Sequence, residues 1–218
     1  MAASLTSTDL TLDNTSGASI PGTPSAGQTV LYPKDDKLLY YKDDAGVERL
    51  VNVTAAVTPI NLGTAVATTS GTSIDFTGIP AGVKRITVMF YEVSTNGTSI
   101  PLLRLGDSGG LETTDYISYS GGASVGTINT TRVGSSTDGF RIATTSHLAT
   151  SLLTAVITFQ HMSSNRWVVN GSGFLRDDFA SVFTGGKTLS GELTQVRLTT
   201  TNGTDTFDAG SVNISWEF

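Results

Sequence analysis

The sequence predicts an all-β chain: a small N-terminal β-meander followed by an antiparallel β-sandwich of jelly-roll-like type. Three observations carry this prediction. Apolar and polar residues alternate with period two in one segment after another. Turn strings such as STNGTS, SSTDG, NGSG, TGGK and TNGTD separate those segments. Gly accounts for 24 of the 218 residues, well above the usual ~7%. No segment holds a convincing helical period. The nearest, RDDFASVF at 176–183, runs into the Gly185–Gly186 pair within two residues.

Residues 1–27 are rich in Ser, Thr and Gly and contain Pro21 and Pro24. Such a segment cannot bury a core of its own and is expected as an extended anchoring tail. Residues 28–53 change character. QTVLYP, KLLYYK and VERLVNV are short β-prone runs, separated by PKDDK and KDDAG. They predict a three-stranded meander too small to be stable alone. Its apolar positions Val30, Tyr32, Leu38, Tyr40 and Leu50 need a partner. Copies of the same chain around an axis are the simplest one, and the meander is expected to be an oligomerisation unit. Packing on the main domain is the alternative.

TAAVTP at 54–59 reads as a linker, and 60–218 as the sandwich domain. In VKRITVMFYEVS the apolar positions are Val83, Ile86, Val88, Phe90 and Val93. In SLLTAVITFQHM, Leu153, Ala155, Ile157 and Phe159 share one face. RWVVNGSGF, SVFTGGKTL, LTQVRLTTT and SVNISWEF follow as further strands. Many short strands at regular spacing suit a sandwich.

Composition narrows the function. Net charge is −6 with a sequence pI near 4.7. That opposes nucleic-acid binding, which needs clustered Lys and Arg. The chain has no Cys, which excludes disulfides and thiolate metal sites. No apolar run approaches the ~18 residues of a membrane helix, so no membrane insertion is expected. The N-terminus lacks the basic and apolar regions of a signal peptide. Synthesis in a cytosol follows as the expectation, with any outside role reached by another route.

GDSGG at 106–110 spells the nucleophile segment of trypsin-like serine proteases. A triad needs a His within hydrogen-bond reach of Ser108. His147 and His161 both follow it, the reverse of that family's order, and Leu111 replaces the motif's Pro. Esterases with a GDS nucleophile carry Asp-x-x-His near the C-terminus, and this chain has none. GDSGG is therefore expected to be a tight turn, with no catalytic residue and no enzyme activity. His147 and His161 match no metal spacing, and each is expected to be solvated or hydrogen bonded. The Asp pairs 35/36, 43/44 and 177/178 lack a calcium-loop spacing and read as turn residues. No cofactor is expected. Tyr116, Tyr119 and Trp167 are the candidate receptor contacts, since aromatic faces suit the C–H faces of sugars. Core packing is the other reading of Trp167, inside the run WVV. Tyr116 and Tyr119 follow the GDSGG turn and are expected to be exposed.

Two stretches resemble tailed-bacteriophage virion fibre proteins. PSAGQTVLYPKDDKLLYYKDDAGVERLV at 24–51 looks like a small unit that recurs near the N-termini of phage fibres. FTGIPAGVKRITVMFYEVSTNGTS, LLRLGDSGGLETTDY and LSGELTQVRLTTTNGTDTFDAGSVNISWEF look like a C-terminal β-domain of tail fibres. The resemblance implies a homotrimeric structural protein of the virion surface, with the meander at 28–53 as its trimerisation unit, a tail fibre that binds a host surface glycan or other receptor. Its tail would contact other virion proteins. A capsid head fibre or decoration protein is the alternative, and a polysaccharide-modifying esterase a more distant one.

Overall fold

The computed structural model describes residues 21–34, 38–51, 60–124, 132–143, 148–176 and 179–218. Every regular element among them is a strand. The chain divides into two compact units, Met1–Val57 and Thr58–Phe218. The linker expected at 54–59 lies outside the described residues, as does most of the tail.

In the first unit, β1 (Val30–Pro33), β2 (Leu39–Lys42) and β3 (Glu48–Leu50) form an antiparallel meander in chain order. Asp43 shapes the β2–β3 turn: its carboxylate accepts the N–H groups of Ala45 and Val47, and Gly46 takes a φ of +78°. Tyr32 and Tyr40 stack with ring centroids 6.3 Å apart. Glu48 accepts from the Tyr32 hydroxyl and the Lys34 ammonium. Residues 21–27 do not run free, as the expected tail would. The Lys42 ammonium holds the Pro21 carbonyl at 2.9 Å, and the Gly27 N–H donates to Asp44 at 2.6 Å. Pro21 and Gly27 thus contact the meander.

The second unit has two antiparallel sheets. One contains β4 (Asn61–Leu62), β5 (Val66–Ala67), β7 (Arg85–Thr95), β10 (Ile117–Ser124), β11 (Arg132–Ser136), β13 (Leu153–Ser163), β14 (Arg166–Leu175), β15 (Phe179–Thr188) and β17 (Phe207–Glu217). Its order is β11-β10-β15-β14-β13-β7-β17-β4, with β5 also on β17. The other contains β6 (Ile74–Thr77), β8 (Pro101–Asp107), β9 (Gly110–Leu111), β12 (Phe140–Arg141) and β16 (Gln195–Thr200), in the order β12-β8-β16-β6 with β9 on β8. One apolar cluster joins the inner faces: Val88, Phe90, Ile157 and Phe159 from the first sheet, Leu103, Leu105, Val196 and Leu198 from the second. This shared core is the arrangement of a β-sandwich. Phe140 bridges it, with its ring edge-on to both Tyr116 and Phe159 at 4.9 and 5.7 Å.

The sequence pattern translates directly here. Leu153, Ala155, Ile157 and Phe159 are all buried. The slip from Phe90 to Val93 marks a bulge, where the β7–β17 register shifts. Glu92 takes a φ of +52° there, opposite Gly210 at +88°. Of the 176–183 segment, residues 179–183 lie in β15, with Phe179, Ser181 and Phe183 alternating inward. Its period of two outweighs the local helix propensity.

Candidate functional site

The GDSGG string forms the hairpin between β8 and β9, with Asp107 opposite Gly110 and Ser108–Gly109 as its tip. Asp107 is buried and accepts from the Gly109 N–H at 2.8 Å and the Ser190 hydroxyl at 2.6 Å. The Ser190 bond first, then the Gly109 N–H, hold its carboxyl below the usual range. Ser108 is exposed, and its hydroxyl has no partner among the described residues. The ring of His161 instead meets the Ser164 carbonyl and lies 5.2 Å from the Trp167 ring. His147 lies outside the described residues, as do Asp35, Asp36, Asp177 and Asp178. Asp43 and Asp44 serve the hydrogen bonds of the first unit. Among the described residues no His, Asp and Glu cluster could hold a metal ion.

Two of the three aromatic candidates are core residues. Tyr116 is 2% exposed. Its hydroxyl accepts the Leu105 N–H at 2.8 Å and reaches the Glu112 carbonyl at 3.0 Å. Burial pushes its phenol above the usual range. The turn after GDSGG thus folds Tyr116 inward, because a phenol suits a site that is apolar around the ring and polar at the tip. Trp167 is 3% exposed and lies at the base of a concavity of about 230 Å³, shared with Lys84, His161, Asn165 and Glu192. Only Tyr119, two residues beyond the Tyr116–Ile117 step and 54% exposed, presents its ring to solvent. It borders a groove of about 380 Å³ lined by Ile117, Ser118, Ser135, Ser136 and Thr137.

Tyr119 belongs to a larger pattern. Alternate residues of the nine-stranded sheet face away from the core, and strand register aligns them in rows. One row runs Ser215, Thr87, Thr158, Asn170, Thr184, Tyr119, Ser135 across β17, β7, β13, β14, β15, β10 and β11. Every member carries a hydroxyl or an amide, and none is an Asp, Glu, Lys, Arg or His. Ser215 is covered, whereas Asn170, Thr184, Tyr119 and Ser135 are exposed. Among the described residues, the side chains of Thr158, Asn170, Thr184, Tyr119 and Ser135 have no hydrogen-bond partner in the chain. The charges nearest in register, Arg85 and Glu217, neutralise each other in a bidentate pair at 2.7 Å.

The row offers donors and acceptors at the strand spacing of about 4.8 Å. It also has one exposed aromatic face at Tyr119. That chemistry fits an extended, neutral, hydroxyl-rich ligand: side chains bond its hydroxyls and the ring covers a C–H face. No cation lies in the row to select an anionic ligand. Sequence reading found Tyr119 but missed the row, because its members are far apart in the chain and only strand register aligns them.

No protein-family model matches the chain, and no curated protein or solved structure gives a significant match to it.

Proposed function

We propose that this chain is a structural protein of a bacteriophage virion, a short homotrimeric surface fibre that binds a neutral host surface glycan. The uncharged hydroxyl and amide row ending at Tyr119 is the observation that carries the binding part. The resemblance of residues 24–51 and of the sandwich segments to phage fibres supports the virion part. The strand orders support a jelly-roll reading. β6-β16-β8-β12 and β7-(β13, β14, β15)-β10-β11 follow the order of an eight-stranded jelly roll. In it a three-stranded meander replaces one strand and β17 is added beyond β7. The replacement widens the outward face and supplies the centre of the row. In a trimer, three weak glycan contacts sum through effective concentration.

The test is binding of the full chain to a panel of immobilised neutral bacterial surface polysaccharides. At least one should bind, and Tyr119→Ala should weaken it at least tenfold, about 1.4 kcal/mol, at unchanged thermal stability. No binding across the panel, or binding indifferent to Tyr119, would sink the glycan reading. A cryo-electron microscopy map of the particle that lacks the chain would sink the virion reading.

A further inference from the structure

Two rows beside the hydroxyl row have a different chemistry. The first runs Val156, Ser172, Val182, Gly121, Val133 across β13, β14, β15, β10 and β11. The second runs Thr154, Phe174, Ala180, Ala123. Together they form an apolar belt. Val156 and Phe174 are each 50% exposed, Val182 62% and Val133 66%. No charged side chain belongs to either row. A groove of about 780 Å³ runs through the belt, between Val156, Phe174 and Val182 and over the small residues Ser172, Ala180 and Gly121. A solvated sheet face is expected to be polar, and single exposed apolar residues need no explanation. A contiguous apolar belt does; the charges that border it, Arg176 and Glu92, pair with each other at its end.

Three features identify what covers it. The chain carries a net charge of −6, so copies repel at long range, and close approach costs least where the surfaces that meet are uncharged. The belt has none of the acidic residues that would oppose such a meeting. Its relief is also self-complementary. Valines stand on every second strand, β13, β15 and β11, and Ser172 and Gly121 leave hollows on the strands between. Around a threefold axis the valines of one copy can enter the hollows of the next, a heterologous contact that closes after three copies. Finally, five strands span about 19 Å, and two rows with their side chains about 14 Å, which projects to roughly 270 Å². A free-standing interface buries about 800 Å² per partner. The belt is too small to hold an independent protein but large enough to hold a partner already tethered nearby. A copy joined through the meander is such a partner.

We propose that copies of this chain pack against one another through the belt at Val156, Phe174, Val182 and Val133. This deepens the oligomeric part of the reading above and rests on it. The sandwich then shares in assembly rather than leaving it to the meander, and the hydroxyl row stays open along the margin of the contact.

The test uses the full chain and its variants in sedimentation velocity across a concentration series. Val182→Asp places a charge in the belt and should raise the concentration of half-dissociation at least tenfold. Val168→Asp is the control: Val168 is an exposed outward valine on the same sheet but outside the belt, and its change should stay within twofold. Because the chain has no Cys, Val182→Cys should also give an intermolecular disulfide under mild oxidation where Val168→Cys does not. Circular dichroism establishes that each variant is folded. A wild-type monomer at every concentration, an unchanged Val182→Asp, or equal effects of both aspartates would each overturn the proposal. The glycan assay is separate. Dissociated chains that still bind polysaccharide leave the function standing, and oligomers that bind none leave this contact standing.

Discussion

Replacing Tyr116 by Phe separates a core tyrosine from a receptor contact. The substitution keeps the ring, its edge contact with Phe140 and its position 5.1 Å from the Lys187 ammonium. It removes one oxygen. The Leu105 N–H then loses its acceptor at 2.8 Å, in a residue that is 0% exposed, and the Glu112 carbonyl loses a donor at 3.0 Å. An orphaned buried N–H costs about 1–3 kcal/mol, and the second, part-buried bond adds less. A loss of about 2 kcal/mol lowers the Tm of a domain this size by roughly 4–8 °C. Differential scanning calorimetry at neutral pH reads this directly. Polysaccharide binding, measured well below the transition, should be unchanged. A Tm within 1 °C of the parent would refute the hydrogen-bond account. Weakened binding with an unchanged Tm would return Tyr116 to the ligand surface.

Three further substitutions test other parts of the fold. The Ser181 hydroxyl is buried with no partner among the described residues, so Ser181→Ala should be neutral or stabilising by up to about 1 kcal/mol in denaturant titration. Gly210 combines a φ of +88° with a position where a Cβ would lie 2.3 Å from the Glu92 carbonyl oxygen. Gly210→Ala should therefore cost at least about 2 kcal/mol, visible as a lowered urea midpoint. Glu48 has its carboxyl held below the usual range, first by the Lys34 hydrogen bond and then by that from Tyr32. A folded value below the unfolded one contributes stability above the unfolded value, lost as pH falls through the folded one. Protection factors for amide exchange in β1–β3, each referred to the intrinsic rate at the same pH, should thus fall on acidification below about pH 4, and Glu48→Gln should flatten that dependence.

The parts of the fold that are local in sequence were legible. Alternation in SLLTAVITFQHM gave both the strand and its buried face, and KDDAG gave the β2–β3 turn. GDSGG was legible as a turn because Asp and Gly at those positions have a local geometric use whatever surrounds them. Tyr116 and Tyr119 were harder. Both follow the same turn and look alike, yet one is buried and the other exposed. What separates them is where β10 begins: Tyr116 precedes Ile117, the first residue of that strand, and folds back over β8 onto Leu105. Tyr119, inside the strand, takes the outward phase. A single-residue difference in strand onset decides it, and no local propensity fixes onset that finely.

The outward face was illegible for a deeper reason. Thr158, Asn170, Thr184 and Tyr119 form one row only because β13, β14, β15 and β10 pair in one register. A slip of one residue in any strand would turn its core residues outward and scatter the row. The buried faces fix that register: Phe159 with Val169, and Val169 with Gly185, pair across the inner surface. The core and the candidate ligand surface are thus set by the same pairings. The apolar belt follows from them as well, two residues further along each strand. A strand whose inward residues specify the fold has outward residues free to specialise. On this sheet they divide by row into an uncharged hydroxyl and amide row and an apolar belt. Mutations that move stability without moving binding, and the reverse, should accordingly alternate residue by residue along β13, β14 and β15.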